Sequence, residues 1–351
     1  TRSSIASSTG ETGDAREALR LFTQLLPDQQ RVLSPDHPNI LRTRTNIASW
    51  TGRTGNVQEA LRLFTQLLPD QQRVLSPDHP DTLRTRSSIA SRAGETGDTR
   101  EALRLFTQLL TDQERVLSPD HLDTLTTRSN IAFWTGRTGD AREALRLFTQ
   151  LLPDQQRVLS PDHPNTLTTR SNIAFWTGRT GDAREALRLF TQLLPDQQQV
   201  LGPDHPNTLT TRSNIASWTG ETGDTREALR LFTQLLQDQE RVLGPDHLDT
   251  LTTRSNIAFW TGETGDARET LRLFTQLLPD QQRVLGPDHP DILRTRSSIA
   301  SSTGETGDAR EALRLFTQLL PDQQRVLGPD HPDTILALLW ISHWKIKTYE
   351  T

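Results

Sequence analysis

The side chains that could do chemistry recur in register. Eight Asp-His pairs, from Asp36-His37 through Asp162-His163 to Asp330-His331, stand 42 residues apart, and histidine beside carboxylate invites a metal-ligand reading. A zinc site needs three or four ligands converging on one ion at about 2.0–2.3 Å. Each repeat offers one histidine on its own loop, so helix capping accounts for the pair better. Serine, histidine and aspartate are abundant enough to draw a hydrolytic triad on paper. Yet every serine falls in a repeated column and none sits in a nucleophile-elbow sequence. The turns TGRTGD and TGETGD resemble phosphate loops only superficially, because no strand precedes them and no lysine occurs before Lys345. With no cysteine, disulfides and thiolate chemistry are excluded. No catalytic residue, metal or cofactor is expected.

The elements that carry these residues follow from the period. Phe22, Phe64, Phe106, Phe148, Phe190, Phe232, Phe274 and Phe316 are spaced by 42, which signals a stacked array rather than separate globular domains. In the unit from Pro164 to His205, Pro164 opens a first helix with Asp162 or His163 as cap. Leu167, Ile173, Ala174 and Trp176 give this helix an apolar side. Thr177-Gly178 is expected to break it, and Gly181 to end a tight turn. Asp182 and Glu185 form a D-x-x-E capping box for a second helix. Ala186, Leu187, Leu189, Phe190, Leu193 and Leu194 cover more than one stripe, so the second helix must be packed on two sides. Pro195 predicts a bend, and Val200 and Leu201 carry the helix on to Gly202-Pro203. A hairpin that cannot bury its own faces needs stacked neighbours, which predicts an all-α solenoid.

Asn172-Ile173-Ala174, Gly181-Asp182, Glu185-Ala186 and Phe190 match the tetratricopeptide repeat pattern in order and spacing. The GPDHP segment and the 42-residue period further resemble kinesin light chain repeats and actinobacterial regulators that join such repeats to a nucleotide-binding ATPase. The resemblance implies a right-handed superhelical solenoid of eight helical hairpins over residues 1–334, followed by a terminal helix over 335–351. Departures are Arg170 and Thr177, where the common repeat prefers large aromatics, and Trp176, one place early.

Two columns vary while their surroundings stay fixed. One reads Ser49, Ser91, Phe133, Phe175, Ser217, Phe259, Ser301; the other reads Glu11, Arg53, Glu95, Arg137, Arg179, Glu221, Glu263, Glu305. Helical spacing puts Thr168, Ser171, Asn172 and Phe175 on one side of the first helix. In tetratricopeptide repeats the first helices line a concave groove, so the resemblance turns this side toward a ligand. The implied groove has anchors at Phe133, Phe175 and Phe259, an amide ladder of Asn130, Asn172, Asn214 and Asn256, and a basic zone at Arg137 and Arg179. Trp134, Trp176, Trp218 and Trp260 are expected to fill inter-repeat packing.

Net charge is −5 and both signs occur in every repeat, which argues against a nucleic-acid or anionic-membrane surface. No apolar run approaches the ~18 residues of a membrane span. The expected partner is therefore a protein or peptide, and the expected location cytoplasmic. Residues Thr1 through Ala6 align with Thr295 through Ala300, so the chain is expected to be a fragment beginning inside a first helix. Near the other end, Leu336, Leu338, Leu339 and Trp340 replace residues that are polar elsewhere. Either that helix caps the array or its apolar side docks elsewhere, including on another copy. The leading expectation is a non-enzymatic protein-interaction scaffold. The alternatives are the regulatory sensor arm of a bacterial signal-transduction ATPase, or a structural, self-assembling spacer.

Overall fold

A computed structural model describes residues 2–11 and 14–350. Thr1 and the Glu11 side chain, which the sequence assigns to repeat columns, lie outside the described residues. Among those described, every regular element is a helix. Contacts divide the chain into two units, residues 1–180 and 181–351. The first holds α1 (Arg2–Glu11), α2 (Ala15–Val32), α3 (Pro38–Arg53), α4 (Val57–Val74), α5 (Pro80–Glu95), α6 (Thr99–Val116), α7 (Leu122–Arg137), α8 (Ala141–Leu159) and α9 (Pro164–Arg179). The second holds α10 (Ala183–Leu201), α11 (Pro206–Glu221), α12 (Thr225–Val242), α13 (Leu248–Glu263), α14 (Ala267–Leu285), α15 (Pro290–Glu305), α16 (Ala309–Val326) and α17 (Pro332–Glu350). Within each unit every helix packs on the next in sequence, the pattern of stacked hairpins.

Local chemistry sets the helix ends. His163 Nδ1 accepts from the Asn165 backbone N–H at 3.1 Å, and the same cap recurs at His37, His79, His121, His205 and His289. Asp182 accepts from the Glu185 N–H at 3.0 Å. The reciprocal half of the capping box does not form: Glu185 turns outward and accepts from Arg188 Nε at 2.6 Å, because a charged partner one turn on outcompetes a backbone N–H. The expected break at Thr177-Gly178 is also corrected. Helix α9 runs through both residues to Arg179, and Gly181, at φ +108°, makes the turn. The second helices run unbroken through Pro27, Pro69, Pro153, Pro195, Pro279 and Pro321, and α10 reaches Leu201 as the sequence predicts.

Each core cluster centres on the periodic phenylalanine. Phe148, fully buried, packs with Ala132, Ala144 and Trp176. Tryptophan of one repeat lies against glycine of the preceding one. A Cβ placed on Gly94 would lie 2.4 Å from the Trp134 ring, and one on Gly136 would lie 2.2 Å from Trp176. In the second unit Gly220 and Gly304 receive Trp260 and Trp344 in the same way. The helix-interior glycine is therefore a seat for an indole, not a helix stop.

The arginine that departs from the common repeat pattern ties the two helices of a hairpin by an ion pair. Arg44, Arg86 and Arg128 in the first unit, and Arg212, Arg254 and Arg296 in the second, bridge each hairpin to Asp70, Asp112, Asp154, Asp238, Asp280 and Asp322 at 2.6–2.8 Å. A second set is bidentate: Arg73 to Asp36, Arg115 to Asp78, Arg157 to Asp120, Arg241 to Asp204, Arg283 to Asp246 and Arg325 to Asp288. The guanidinium holds the carboxyls of Asp36, Asp78, Asp120, Asp246 and Asp288 below the usual aspartate range. A depressed folded-state value means their stabilisation is present above the unfolded-state value and lost as pH falls through the folded one. The melting temperature should thus be flat above about pH 5 and fall progressively below it. High salt should shrink the fall, since these pairs are exposed. A melting temperature unchanged from pH 6 to pH 2 would contradict these pairs.

Helix α17 continues the array in the place of a first helix. Ala337 and Trp344 are buried against α16, and Trp340 stacks on Phe316 with ring centroids 6.2 Å apart. The opposite side, with Ile335, Leu336, Leu338 and Leu339, is 44–61% exposed.

Candidate functional site

The residues predicted to form the groove sit on the first helices, in α7 and α9 of the first unit and α11 and α13 of the second. Phe133, Phe175 and Phe259 are 39%, 36% and 49% exposed. Each ring stands edge-on to the tryptophan that follows it, with centroids 5.0–5.1 Å apart. The tryptophan is buried in the preceding repeat and so fixes the phenylalanine that projects beside it. Asn130, Asn172, Asn214 and Asn256 are half-buried one turn before this column. Arg137 and Arg179 are exposed at the helix ends. A third member of their column, Arg53, lies over the Trp50 ring at 4.5 Å.

The predicted columns do not lie on a smooth face. Between successive hairpins the first helices leave a notch. In the first unit one notch, of about 200 Å³, is walled by Ser129 and Asn130 of α7 and by Asn165 and Thr168 of α9, with Gln155 of α8 as its floor. The second unit repeats it twice. A notch of about 280 Å³ is lined by Asn256, Phe259 and Gln281, and one of about 200 Å³ by Ser298, Gln323 and Leu336. Of the predicted asparagines Asn130 and Asn256 line notches, and the glutamines are notch residues that the sequence did not single out. Gln71, Gln113, Gln155, Gln197, Gln239, Gln281 and Gln323 are all 0–2% exposed, and each has an Oε1 without a hydrogen-bond partner. Their signal was available: glutamine stands seven residues after the core phenylalanine, on the same side of the second helix.

The chemistry on offer is recognition. The notches present amide acceptors and donors, in one of them beside Phe259 and Phe274, which suits an extended or helical peptide. Among the described residues no three His, Asp or Glu side chains converge as metal ligands. His37, His79, His121, His163, His205, His247, His289 and His331 cap helices. No described helix is long and apolar enough to cross a membrane.

A family profile described as Tetratricopeptide repeat matches residues 1–71, 52–115, 95–156, 123–197, 171–241, 222–279 and 249–323. Comparison with curated proteins finds no match. Among solved structures, the chain is similar to a putative kinesin light chain with nearly identical TPR-like repeats from Podosopora anserina. That likeness has 25% identity over 60% of this chain and 99% of the other, with a TM-score of 0.48. It is also similar to a Signal Transduction ATPase with Numerous Domains protein with a tetratricopeptide repeat sensor from Pyrococcus horikoshii. There the identity is 9% over 94% of this chain and 50% of the other, with a TM-score of 0.59. The apo form of the quorum sensor NprR from B. thuringiensis matches with 13% identity over 98% and 97%, and a TM-score of 0.53. At such identities the last two likenesses concern the fold alone.

Proposed function

Because this chain belongs to the tetratricopeptide repeat family, whose arrays serve protein–protein interaction, we propose that it holds a peptide segment of a partner along its first-helix face. The observation that carries this reading is a similar notch at three repeat junctions, each lined by a buried glutamine and one also by Phe259, on the face that exposes Phe133 and Phe175. Exposed aromatics held rigid by packing are efficient binding anchors, since little side-chain entropy is lost on contact. The asparagine and glutamine amides supply hydrogen bonds to a peptide backbone, whose groups must be satisfied when they leave water. Arg137 and Arg179 add a preference for acidic residues at one end of the first unit's face. Panning a displayed library of random peptides tests the proposal. It predicts recovered peptides that compete with one another for the chain, and no enrichment over an empty support would overturn it.

A second reading, self-association, is favoured by the exposed leucines of α17. Light scattering across a concentration series should then show a mass that rises with concentration and collapses to one chain in Leu336→Glu/Leu339→Glu. A mass that is constant and monomeric throughout would dismiss it.

A further inference from the structure

Two of the described repeat junctions lack the indole that fills their neighbours, and at one of them no other large side chain replaces it. Trp134, Trp176, Trp260 and Trp344 occupy glycine seats at Gly94, Gly136, Gly220 and Gly304. At Gly52 the next repeat supplies Arg92, whose guanidinium carbon would lie 3.1 Å from an added Cβ. At Gly262 the corresponding residue of α15 is Ser302, and the nearest side chain is Thr270, 3.4 Å from an added Cβ. Thr270 stands where the other repeats carry alanine, so it narrows the far end of the seat without replacing an indole.

The consequences appear in three places. Gly262 is half-exposed, whereas Gly136, Gly220 and Gly304 are buried. Phe274 is 4% exposed, whereas its counterparts are at 0–1%. The notch at this junction measures about 280 Å³ and reaches the Phe274 ring, while the notches beside Trp176 and Trp344 measure about 200 Å³ and do not reach Phe148 or Phe316. A helical side chain leans toward the N-terminus of its helix, so an indole at position 302 would lie over Ser298 and Phe274, where the cavity opens. The surrounding helices have relaxed only partly around the missing group.

We infer that this notch, which opens beside the seat left without an indole, is a specific pocket for the indole of a tryptophan in a partner peptide. Its size suits one aromatic side chain, being smaller than the roughly 300–1,000 Å³ of drug-sized ligand sites. Phe274 offers a ring at the base and Phe259 a ring at the wall for stacked or edge contacts. Gln281 lines the cavity at 2% exposure with an unpaired Oε1, an acceptor that matches the single N–H donor of indole. The inference deepens the peptide-binding reading by naming one side chain of the ligand and its seat.

The test uses N-acetyl-5-fluoro-L-tryptophanamide followed by fluorine NMR with the full chain. Saturable binding is expected, and it should weaken at least tenfold in Thr270→Ala/Ser302→Trp, which restores the residue pair of the neighbouring junctions and so keeps the fold. Gln281→Leu should weaken the tryptophan probe about fivefold while leaving N-acetyl-4-fluoro-L-phenylalaninamide unchanged, as loss of one hydrogen bond implies. No saturable binding to the unaltered chain, or equal binding to the double variant, would overturn the pocket. The probe needs no partner peptide, so the two readings fail separately. If it binds as stated while no displayed peptide is recovered, the groove falls and the pocket stands; recovered peptides with an idle probe mean the reverse.

Discussion

Trp176→Ala is expected to destabilise the first unit by about 3–5 kcal/mol, the usual range for emptying a buried aromatic site. Trp176 is 5% exposed and packs with Phe148, Ala132 and Ala144, so its removal leaves a void among the helices that carry them. The more diagnostic result is the reversal it imposes on Gly136. In the unaltered chain Gly136→Ala puts a methyl 2.2 Å from the Trp176 ring, and overpacking of this kind costs about 1–3 kcal/mol. Once the indole is gone the same substitution has only its helix propensity to express, a gain of up to about 1 kcal/mol. Gly262→Ala, with no tryptophan opposite, should likewise be neutral or stabilising. Urea titration of the four members of the cycle would check this. Equal effects of Gly136→Ala with and without Trp176 would show that the two do not meet.

Phe133→Ser/Phe175→Ser/Phe259→Ser should abolish peptide capture, with affinity falling at least about 100-fold if the rings are binding hot spots. Stability should survive, because the same column carries Ser49, Ser91, Ser217 and Ser301 in helices of the same length. The lost ring contacts with Trp134, Trp176 and Trp260 are worth about 0.5–1.5 kcal/mol each. Unchanged helicity with lost capture therefore separates recognition from folding. Capture that persists in this variant would remove the phenylalanines from the site.

The hairpins, their period and their caps were legible because each depends on neighbours in sequence. Asp182 caps α10, Gly181 turns the chain, and Phe190 is buried, each as local pattern requires. What depends on the next repeat was not legible. Gly178 reads as a helix breaker, since sequence alone cannot show that its counterparts Gly94, Gly136, Gly220 and Gly304 receive an indole from a residue 40 positions on. Gln155 and Gln281 are buried where they line notches, and only their spacing from the core phenylalanines signals it. Ser302 stands in the column that carries Trp134, Trp176 and Trp260. Its meaning lies in the exposure of Gly262 and Phe274 on other helices. Glu185 illustrates the opposite error, a motif recognised whose second half is diverted by Arg188.

The central claim is that peptides bind along the first-helix face. The direct measurement places a photo-crosslinking phenylalanine analogue at Phe175, at Phe259, and at Gln150, an exposed residue of second helix α8. Peptides recovered from the displayed library are then irradiated with each. The account predicts crosslinks from positions 175 and 259 and none from position 150. Crosslinks from position 150 alone would place the partner on the second helices and contradict it.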